Sequence, residues 1–326
     1  MFKTRVTELL GIQHPIIQGA LGGGLSRAGL VAAVSNAGGL GLITSLNHAT
    51  AGELREEIRK TMTMTDRPFG VNVTLLPTLR PVNYEEYFAA ALDEGVRIIE
   101  TSGRSPEPYM KMLKDAGAVV LHKIGGARHA RSAERAGVDA VSVVSFEAAG
   151  HPLPDDVASS VLIPACVDAV SIPVIAAGGI SDARGFVSAL ALGAEGVLMG
   201  TRFTISQECS LNPKAKEWLL QLGEADTMLV HKAINNTERV VRTEFARQVL
   251  EKEESGAPLE EVLAMISGDR VRNAYETGDI SDALFTVGQV VGLVHDIPTV
   301  REIIDSIISG ARDIIERLHA SGVASA

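Results

Sequence analysis

The residue whose type and position most strongly suggest chemistry is His151. It follows the small residues Ala148, Ala149 and Gly150, which come after a short apolar run, and it precedes Pro152. A neutral imidazole can accept or supply a proton near pH 7. We therefore predict an acid–base residue in a loop that begins where a strand ends.

The other histidines are weaker candidates for such a role. His122 lies inside an apolar run that has the pattern of a strand, and His48 comes just before a helix cap. His129 is in a helical stretch, and we expect His231 and His319 on exposed helical faces.

Two glycine-rich motifs have the most specific spacing. They are IPVIAAGGISD, from Ile172 to Asp182, and GVLMGTRF, from Gly196 to Phe203. Gly178-Gly179 and Gly200-Thr201 leave backbone amides free of bulky side chains. In a barrel of alternating strands and helices, the loops after strands seven and eight form a phosphate site. The motifs therefore predict a binding site for a monophosphate, either FMN or a phosphorylated substrate.

Three further strand ends carry residues that could bind a flat ligand. The stretch from Gln18 to Gly24 is rich in glycine, Asn72 and Thr74 alternate on one face, and Lys123 ends another strand. A lysine in a barrel mouth is costly without an anion or a polarised ligand. Each feature also has a simpler interpretation: a flexible turn, a turn cap, or a lysine that extends into solvent.

The elements that must position these residues follow a regular order over the first 200 residues. Short apolar runs alternate with amphipathic helical stretches, and consecutive apolar positions are typical of parallel strands buried on both faces. Eight such units predict an α/β fold, a (β/α)₈ TIM barrel. A doubly wound sheet is the competing fold, but no GxGxxG turn follows the first strand. The predicted strands are Pro15–Gln18, Gly41–Ile43, Phe69–Val73, Ile98–Thr101, Val119–Lys123, Ala140–Val143, Pro173–Ala176 and Gly196–Met199.

The character of the chain changes after Thr201. Residues 208–276 are richly charged, show helical periodicity and carry no obvious strand, whereas Thr299–Leu318 is strongly amphipathic. We therefore predict a barrel made of residues 1–207 and 286–326, with Thr299–Leu318 as its closing helix. Residues 208–285 are predicted to be a helical second domain that is inserted after strand eight and covers the barrel mouth.

Composition limits the class of protein. The chain has 326 residues and a net charge of −10, with few aromatic residues, which argues against nucleic acid as a partner. Cys166 and Cys209 show no CxxC or Cys/His spacing, so neither a disulfide framework nor a metal site is predicted. The N-terminus is too polar for a signal peptide, and no stretch reads as a membrane helix. We expect a cytoplasmic enzyme that acts on a small molecule, and its oligomeric state stays open, a homodimer included.

Several motifs together resemble the nitronate monooxygenase family, formerly called 2-nitropropane dioxygenases. They are PIIQGALGG, FGVNVTLLPT, HKIGGARHARSAERAGVDAVSV, FEAAGHP, IPVIAAGGISDARG, ALGAEGVLMGTRF and GQVVGL. FEAAGHP and FGVNVTLLPT look closest to the subgroup that contains bacterial NADH:quinone reductases. The resemblance covers nearly the whole chain, and it implies an FMN-containing barrel with a helical second domain.

The resemblance also implies a role for individual residues. It matches His151 to the active-site histidine of the family. The residues that it places against the flavin ring, the ribityl chain or the pocket wall are Gly19, Ala20, Leu21, Asn72, Thr74, Lys123, Ala149, Gly150 and Gln289. The residues that it assigns to the phosphate are Ala177, Gly178, Gly179, Gly200 and Thr201.

Two positions depart from the family pattern, and both bear on the substrate. The family commonly has Gly or Met at the positions of Ala20 and Leu21, and related sequences often have Asp near Val144. The first functional hypothesis is FMN-dependent oxidation of an alkyl nitronate with O₂ to a carbonyl compound and nitrite. The second is NAD(P)H:quinone reduction on the same FMN barrel. A more remote alternative is a non-flavin isomerase or aldolase that acts on a phosphorylated metabolite.

Overall fold

Eight parallel strands form the centre of the molecule. A computed structural model describes residues 2–75, 82–152, 155–232 and 236–322. The strands follow the order β1-β8-β7-β6-β5-β4-β3-β2, and Ile17 of β1 bridges Leu40, next to β2, which closes the sheet. The predicted (β/α)₈ TIM barrel is therefore confirmed. Its strands are β1 (Ile16–Gln18), β2 (Gly41–Thr44), β3 (Phe69–Leu75), β4 (Ile98–Gly103), β5 (Val119–Ile124), β6 (Ala140–Val144), β7 (Val174–Ala177) and β8 (Gly196–Met199).

The helices surround the barrel and extend it. Those within the first 204 residues are α1 (Arg5–Leu10), α2 (Ala28–Asn36), α3 (Ala51–Met62), α4 (Tyr84–Asp93), α5 (Glu107–Asp115), α6 (Ala127–Arg135), α7 (Ser159–Val167), α8 (Ala183–Ala191) and α9 (Thr201–Thr204). The later helices are α10 (Pro213–Leu219), α11 (Glu244–Glu254), α12 (Leu259–Met265), α13 (Gly268–Thr277) and α14 (Val300–Ala320).

One end of the barrel is closed by the N-terminal helix. Val6 and Leu10 of α1 are buried in a cluster with strand residues such as Ile17, Leu42 and Leu198. Arg5 forms an ion pair with Glu195, just before β8, and so anchors α1. With this end filled by apolar side chains, space for a ligand remains at the carboxyl ends of the strands.

Helix α14 completes the outer layer. Thr299 and Glu302 form a capping box, and the buried face carries Ile303, Ile304 and Ile307, which packs α14 against α8 and α2. The predicted amphipathic helix is thus confirmed, with bounds that differ by at most two residues. Residues 323–326 of the predicted barrel segment lie outside the described residues.

The segment 208–285 differs from the sequence-based expectation in one respect. We predicted no strand in this segment, and that prediction is wrong. β9 (Thr227–Val230) and β10 (Glu238–Val241) form an antiparallel hairpin. Each strand has only four residues, so neither gives a long alternating pattern. The hairpin is stabilised by tertiary packing, since Val230 and Val240 are buried against Phe245 of α11.

Two features are absent from the residues that the structure describes. No helix within residues 2–75, 82–152, 155–232 and 236–322 is long and apolar enough to cross a membrane. Over the same ranges, no group of three or more His, Cys, Asp or Glu side chains could hold a metal ion. Cys166 and Cys209 are both buried free thiols, and burial raises the pKa of Cys166 to about 11.

Candidate active site

A cavity of about 880 Å³ lies at the carboxyl ends of the strands. His151 and thirteen of the residues that the sequence assigned to a cofactor line this cavity. They are Gly19, Ala20, Leu21, Asn72, Thr74, Lys123, Ala149, Gly150, Ala177, Gly178, Gly179, Gly200 and Thr201. The barrel brings these residues together because parallel strands deliver their following loops to one end.

Gln289 is the assigned residue that does not line the cavity. It begins a short 3₁₀ turn, and its backbone N–H donates to the carbonyl of Glu147 at 3.0 Å. This turn presents Gly288 and Val290 to the cavity instead. The segment GQVVGL therefore reaches the cavity through the two neighbours of Gln289, and a contact of Gln289 with the flavin stays a prediction.

The loop after β7 has a backbone that requires glycine. Gly178 and Gly179 have φ angles of 101° and 71°, in the left-handed region that side chains disfavour. A Cβ atom at Gly178 would collide with Oγ of Ser145 and lie 3.0 Å from Cβ of Ala148. Within the described chain, the N–H groups of Gly178, Gly179 and Gly200 donate no hydrogen bond to a protein group. These exposed donors fit an anionic group such as a phosphate.

A buried ion pair occupies the opposite side of the cavity floor. The ammonium of Lys123 lies 3.2 Å from Oε2 of Glu100, and the two side chains are 18% and 0% exposed. The amide of Asn72 donates to the same carboxylate oxygen at 2.7 Å, and the hydroxyl of Thr74 donates to Oδ1 of Asn72 at 3.0 Å. Lys123 therefore does not extend into solvent, and its anionic partner is a protein carboxylate.

Sequence reasoning missed Glu100. A single carboxylate inside an apolar strand, in IIETSG of β4, was the available signal. Because a buried charge is stable only when paired, a lone Glu in such a strand indicates a cation on a neighbouring strand. β4 pairs with β5, where Lys123 lies, so the two residues come together through sheet order.

His151 lies in the loop after β6, and the hairpin holds this loop in place. Gly150 and Arg239 of β10 form an antiparallel bridge with both backbone hydrogen bonds, at 3.3 and 2.6 Å. The guanidinium of Arg239 stacks over the ring of Phe146 at 4.4 Å and donates to the carbonyl of Phe146 at 3.1 Å. The segment 208–285 thus contacts the loop that carries the predicted acid–base residue.

Two histidines take positions that bear on the site. His122 lines the cavity, and its Nδ1 lies 2.8 Å from the hydroxyl of Thr101. Burial lowers the pKa of His122 to about 4, so its ring is neutral at pH 7. The expectation of an exposed helical face is wrong for His231, which is buried after β9 because its backbone and ring bond to Glu253. His319 is exposed on α14, as predicted.

The sequence gave several further cavity residues no individual role. They are polar or aromatic and lie in β4 or just after it, in α6, in the hairpin segment, in α13 or after it: Ser102, Arg104, His129, Lys232, Glu238, Tyr275 and Thr286. Their spacing along the chain carries no signal, since only the tertiary fold places them around one space.

The fold and the cavity together define the class of this protein as a TIM-barrel enzyme whose site lies at the carboxyl ends of the strands. Comparison with known proteins then gives the family. The chain matches the nitronate monooxygenase family over residues 3–310, and it belongs to that family. It is an oxidoreductase of the flavin type, which argues against a non-flavin isomerase or aldolase.

Individual relatives are similar over almost their full lengths. A (3aS,4S,5R,7aS)-5-hydroxy-7a-methyl-1-oxo-octahydro-1H-indene-4-carboxyl-CoA dehydrogenase from Rhodococcus jostii is 35% identical, covering 98% of each chain. The structure of FabK from Thermotoga maritima has a TM-score of 0.92 and 36% identity, over 99% of this chain and 100% of that one. Nitroalkane oxidase from Streptomyces ansochromogenes has a TM-score of 0.83 and 26% identity, over 96% and 99%.

Proposed function

We propose that the chain is an FMN-dependent oxidoreductase that acts on an acyl-CoA thioester. The observation that carries this proposal is the size and charge of the cavity. At about 880 Å³ it is near the upper end of the range for small-molecule sites, roughly 300–1,000 Å³. Such a space accommodates a flavin and a second, extended ligand, whereas an alkyl nitronate is only a few atoms long.

The charge of the cavity rim supports an anionic second ligand. The chain carries a net charge of −10, yet Arg104 and Lys232 both line the cavity. Neither forms an ion pair with another residue in the part of the chain that the structure describes. Unpaired cations at the mouth of an acidic protein favour phosphate groups, which the nucleotide end of CoA supplies.

The residues of the cavity fit FMN as the resident cofactor. Gly178, Gly179 and Gly200 would hold its phosphate through backbone amides, and a Cβ at Gly178 would fill that cradle. Asn72, Thr74 and Lys123 would contact the ring and the ribityl chain, and Gly19, Ala20 and Leu21 would pass beside the ring. When bound, FMN supplies the capacity to accept or donate a hydride.

The protein residues have separate tasks in this proposal. Lys123, fixed by Glu100 and Asn72, would orient polar atoms of the ring, and His151 would take or supply the proton that accompanies hydride transfer. The apolar barrel floor excludes water from below. When the substrate is oxidised, NAD(P)⁺ is the proposed acceptor of the two electrons and the hydride, which gives NAD(P)H and restores oxidised FMN. The sequence-based homodimer stays a prediction.

We also propose that residues 208–285 are a lid domain, with residues 1–207 and 286–326 as the barrel. Lys232, Glu238 and Tyr275 from this segment line the cavity. The segment has a small apolar cluster of its own around Val240 and Phe245. Both observations support a unit that covers the barrel mouth and contributes to substrate binding.

Oxidation of alkyl nitronates is a second candidate function. It is favoured by the position of His151 in the cavity wall, beside the small residues Ala149 and Gly150. A histidine there could serve as base toward a neutral nitroalkane. No particular residue of the cavity favours quinone reduction in the same way. The experiment below would detect that activity.

The test is an anaerobic mixing experiment with the purified protein. We expect a yellow protein that releases FMN, and not FAD, on heating. We expect 3-hydroxybutyryl-CoA to bleach the flavin, and 3-hydroxybutyrate, the matched compound without CoA, to do so much more slowly. Arg104→Ala should raise KM for the thioester only, and His151→Ala should retain FMN but lower turnover roughly a hundredfold.

Other results would reject the proposal. Bleaching by ethyl nitronate alone would indicate nitronate oxidation. Bleaching by NADH alone, followed by reoxidation with a quinone, would indicate a quinone reductase. A colourless protein would exclude FMN, and equal rates with and without CoA would exclude the thioester specificity.

A further inference from the structure

A buried pair of titratable side chains lies behind the cavity wall, and the proposed function does not use it. His231 is 1% exposed and has a φ of 65°, a left-handed backbone that is unusual outside glycine. Its backbone N–H donates to both carboxylate oxygens of Glu253, at 2.8 and 3.0 Å. Its Nδ1 also bonds to Oε1 of Glu253. Glu253 therefore fixes the position and orientation of the His231 ring.

The other ring nitrogen of His231 faces the cavity side. Nε2 is buried and has no hydrogen-bond partner among the residues that the structure describes, and it lies 3.9 Å from Oε2 of Glu238. Glu238 lines the cavity, and its Oε1 accepts a hydrogen bond from the hydroxyl of Thr286 at 2.8 Å. Because Nδ1 donates to the carboxylate of Glu253, Nε2 can donate to Glu238 only when the ring carries a proton on both nitrogens. In that form the ring lies between two carboxylates, and a shift of about 1 Å would join Nε2 to Glu238.

Glu238 and His151 are the residues next to the bridge between the hairpin and the loop after β6. Gly150 and Arg239 exchange both of their backbone hydrogen bonds. The bridge is isolated, and Gly150 has a φ of 72°, so His151 leaves it in a direction that differs from that of a continued strand. Arg239 packs on Phe146, whereas His151 and Glu238 both line the cavity. No hydrogen bond or ion pair joins them among the described residues, so both side chains can contact a substrate group in the cavity.

We propose that Glu238, held by the His231–Glu253 pair, is a specificity-determining residue that selects a substrate with a neutral hydrogen-bond donor, such as a hydroxyl group, at this place. The carboxylate accepts a hydrogen bond from such a group. An anionic group at the same place would lie beside the carboxylate and be repelled. The inference rests on the proposed function, from which it takes the redox reaction. It adds that the reacting group of the substrate is a hydroxyl.

Two small ligands of almost equal shape test the selectivity. Propionamide is neutral and donates hydrogen bonds, whereas propionate is an anion. We expect the full-length protein, with the cofactor that copurifies, to bind propionamide at least tenfold more tightly than propionate in ligand-observed NMR titrations. Glu238→Gln should lower this ratio about tenfold. Glu254→Gln, an exposed position on α11 with the same change of charge, should leave the ratio unchanged.

His231→Asn tests the pair behind Glu238. Asparagine tolerates a left-handed backbone and can still donate to Glu253, but it is too short to reach Glu238. We expect a smaller shift of the ratio in the same direction, with the thermal midpoint close to that of the parent. The double variant Glu238→Gln/His231→Asn should match Glu238→Gln alone, since His231 acts through Glu238.

Clear outcomes overturn the inference. One is a propionamide-to-propionate affinity ratio that is the same in the parent and in Glu238→Gln. Another is that neither probe binds to the parent or to any variant. A third is an effect of His231→Asn that persists at full size in the Glu238→Gln background. Because NMR titration needs neither turnover nor flavin, failure of the acyl-CoA assay with the expected binding ratios would reject the proposed function alone.

Discussion

At the residue scale, the site depends on buried charged side chains and on backbone conformations that the barrel fixes. Glu100 is fully buried and has Lys123 as its ionic partner and Asn72 as its hydrogen-bond donor. Removal of one member of such a pair leaves an uncompensated buried charge, which costs about 3–5 kcal/mol. The cationic end of the cavity floor is therefore fixed before any ligand binds, and Lys123 needs no rearrangement to orient one.

The glycine cradle gives a prediction at the same scale. Gly178→Ala and Gly95→Ala both place a side chain at a left-handed φ, 101° and 88°, but a Cβ at Gly95 meets no atom within 4 Å. Both variants should lose about 1 kcal/mol of stability from backbone strain. Only Gly178→Ala should also lose bound flavin, because its Cβ displaces Ser145 and Ala148 beside the amide donors.

The measurement is flavin absorbance per protein, together with thermal unfolding. Gly95→Ala is the matched control, and it should retain the flavin content of the parent. Equal flavin content in the two variants would mean that the loop after β7 does not bind the phosphate.

At the element scale, the hairpin and α14 have different tasks. The hairpin of β9 and β10 reaches the loop after β6 through Gly150 and Arg239, so it joins segment 208–285 to the loop of the predicted acid–base residue. Helix α14 lies against α8 and α2 and secures the barrel. Its buried face is made mainly of β-branched residues, and its last turns are exposed.

Two isoleucines on α14 separate packing from helix propensity. Ile304 is fully buried and Ile315 is 45% exposed, so Ile304→Ala creates a cavity whereas Ile315→Ala does not. Ile304→Ala should lower the free energy of unfolding by about 2–5 kcal/mol. Ile315→Ala should change it by less than about 0.5 kcal/mol. Urea unfolding of both variants measures this, and similar losses would show that α14 does not hold the barrel together.

At the scale of the whole molecule, buried histidines link stability to pH. Burial lowers the pKa of His14, His48 and His122, the last to about 4. Each ring is neutral in the folded protein and takes up a proton more readily when the chain unfolds. The stabilising contribution is therefore complete above about pH 6.5, and it is lost as the pH falls from about 6.5 toward 4.

His122 should account for about 3 kcal/mol of this loss, from a shift of roughly 2.5 pKa units. The hydroxyl of Thr101 donates to the carbonyl of Leu121, so it accepts from Nδ1 of His122, and an asparagine amide can replace that donor. His122→Asn should thus flatten the dependence of unfolding free energy on pH between 6.5 and 4. His319→Asn, on the exposed end of α14, should keep the dependence of the parent, and equal slopes for both variants would contradict the assignment.

Much of the barrel could be predicted because the patterns that mark its strands extend over only a few neighbouring residues. Each predicted strand begins within one residue of an observed one, since apolar runs bounded by glycine and helix caps mark parallel strands. The hairpin could not be predicted in the same way. Its strands of four residues acquire their conformation from packing against Phe245 of α11 and from pairing with Gly150, which is distant in sequence.

The sequence by itself determined the fold class and the family, and it named His151 and thirteen further residues that line the cavity. Strand order in a closed barrel fixes which loops share one end, and motifs after strands therefore predict neighbours in space. Only the tertiary structure decided the partners of those residues. The contacts of Glu100 with Lys123, and of His231 with Glu253 and Glu238, depend on strand register, on burial and on the packing of segment 208–285. These contacts join residues with no fixed separation along the chain, and so no local pattern could encode them.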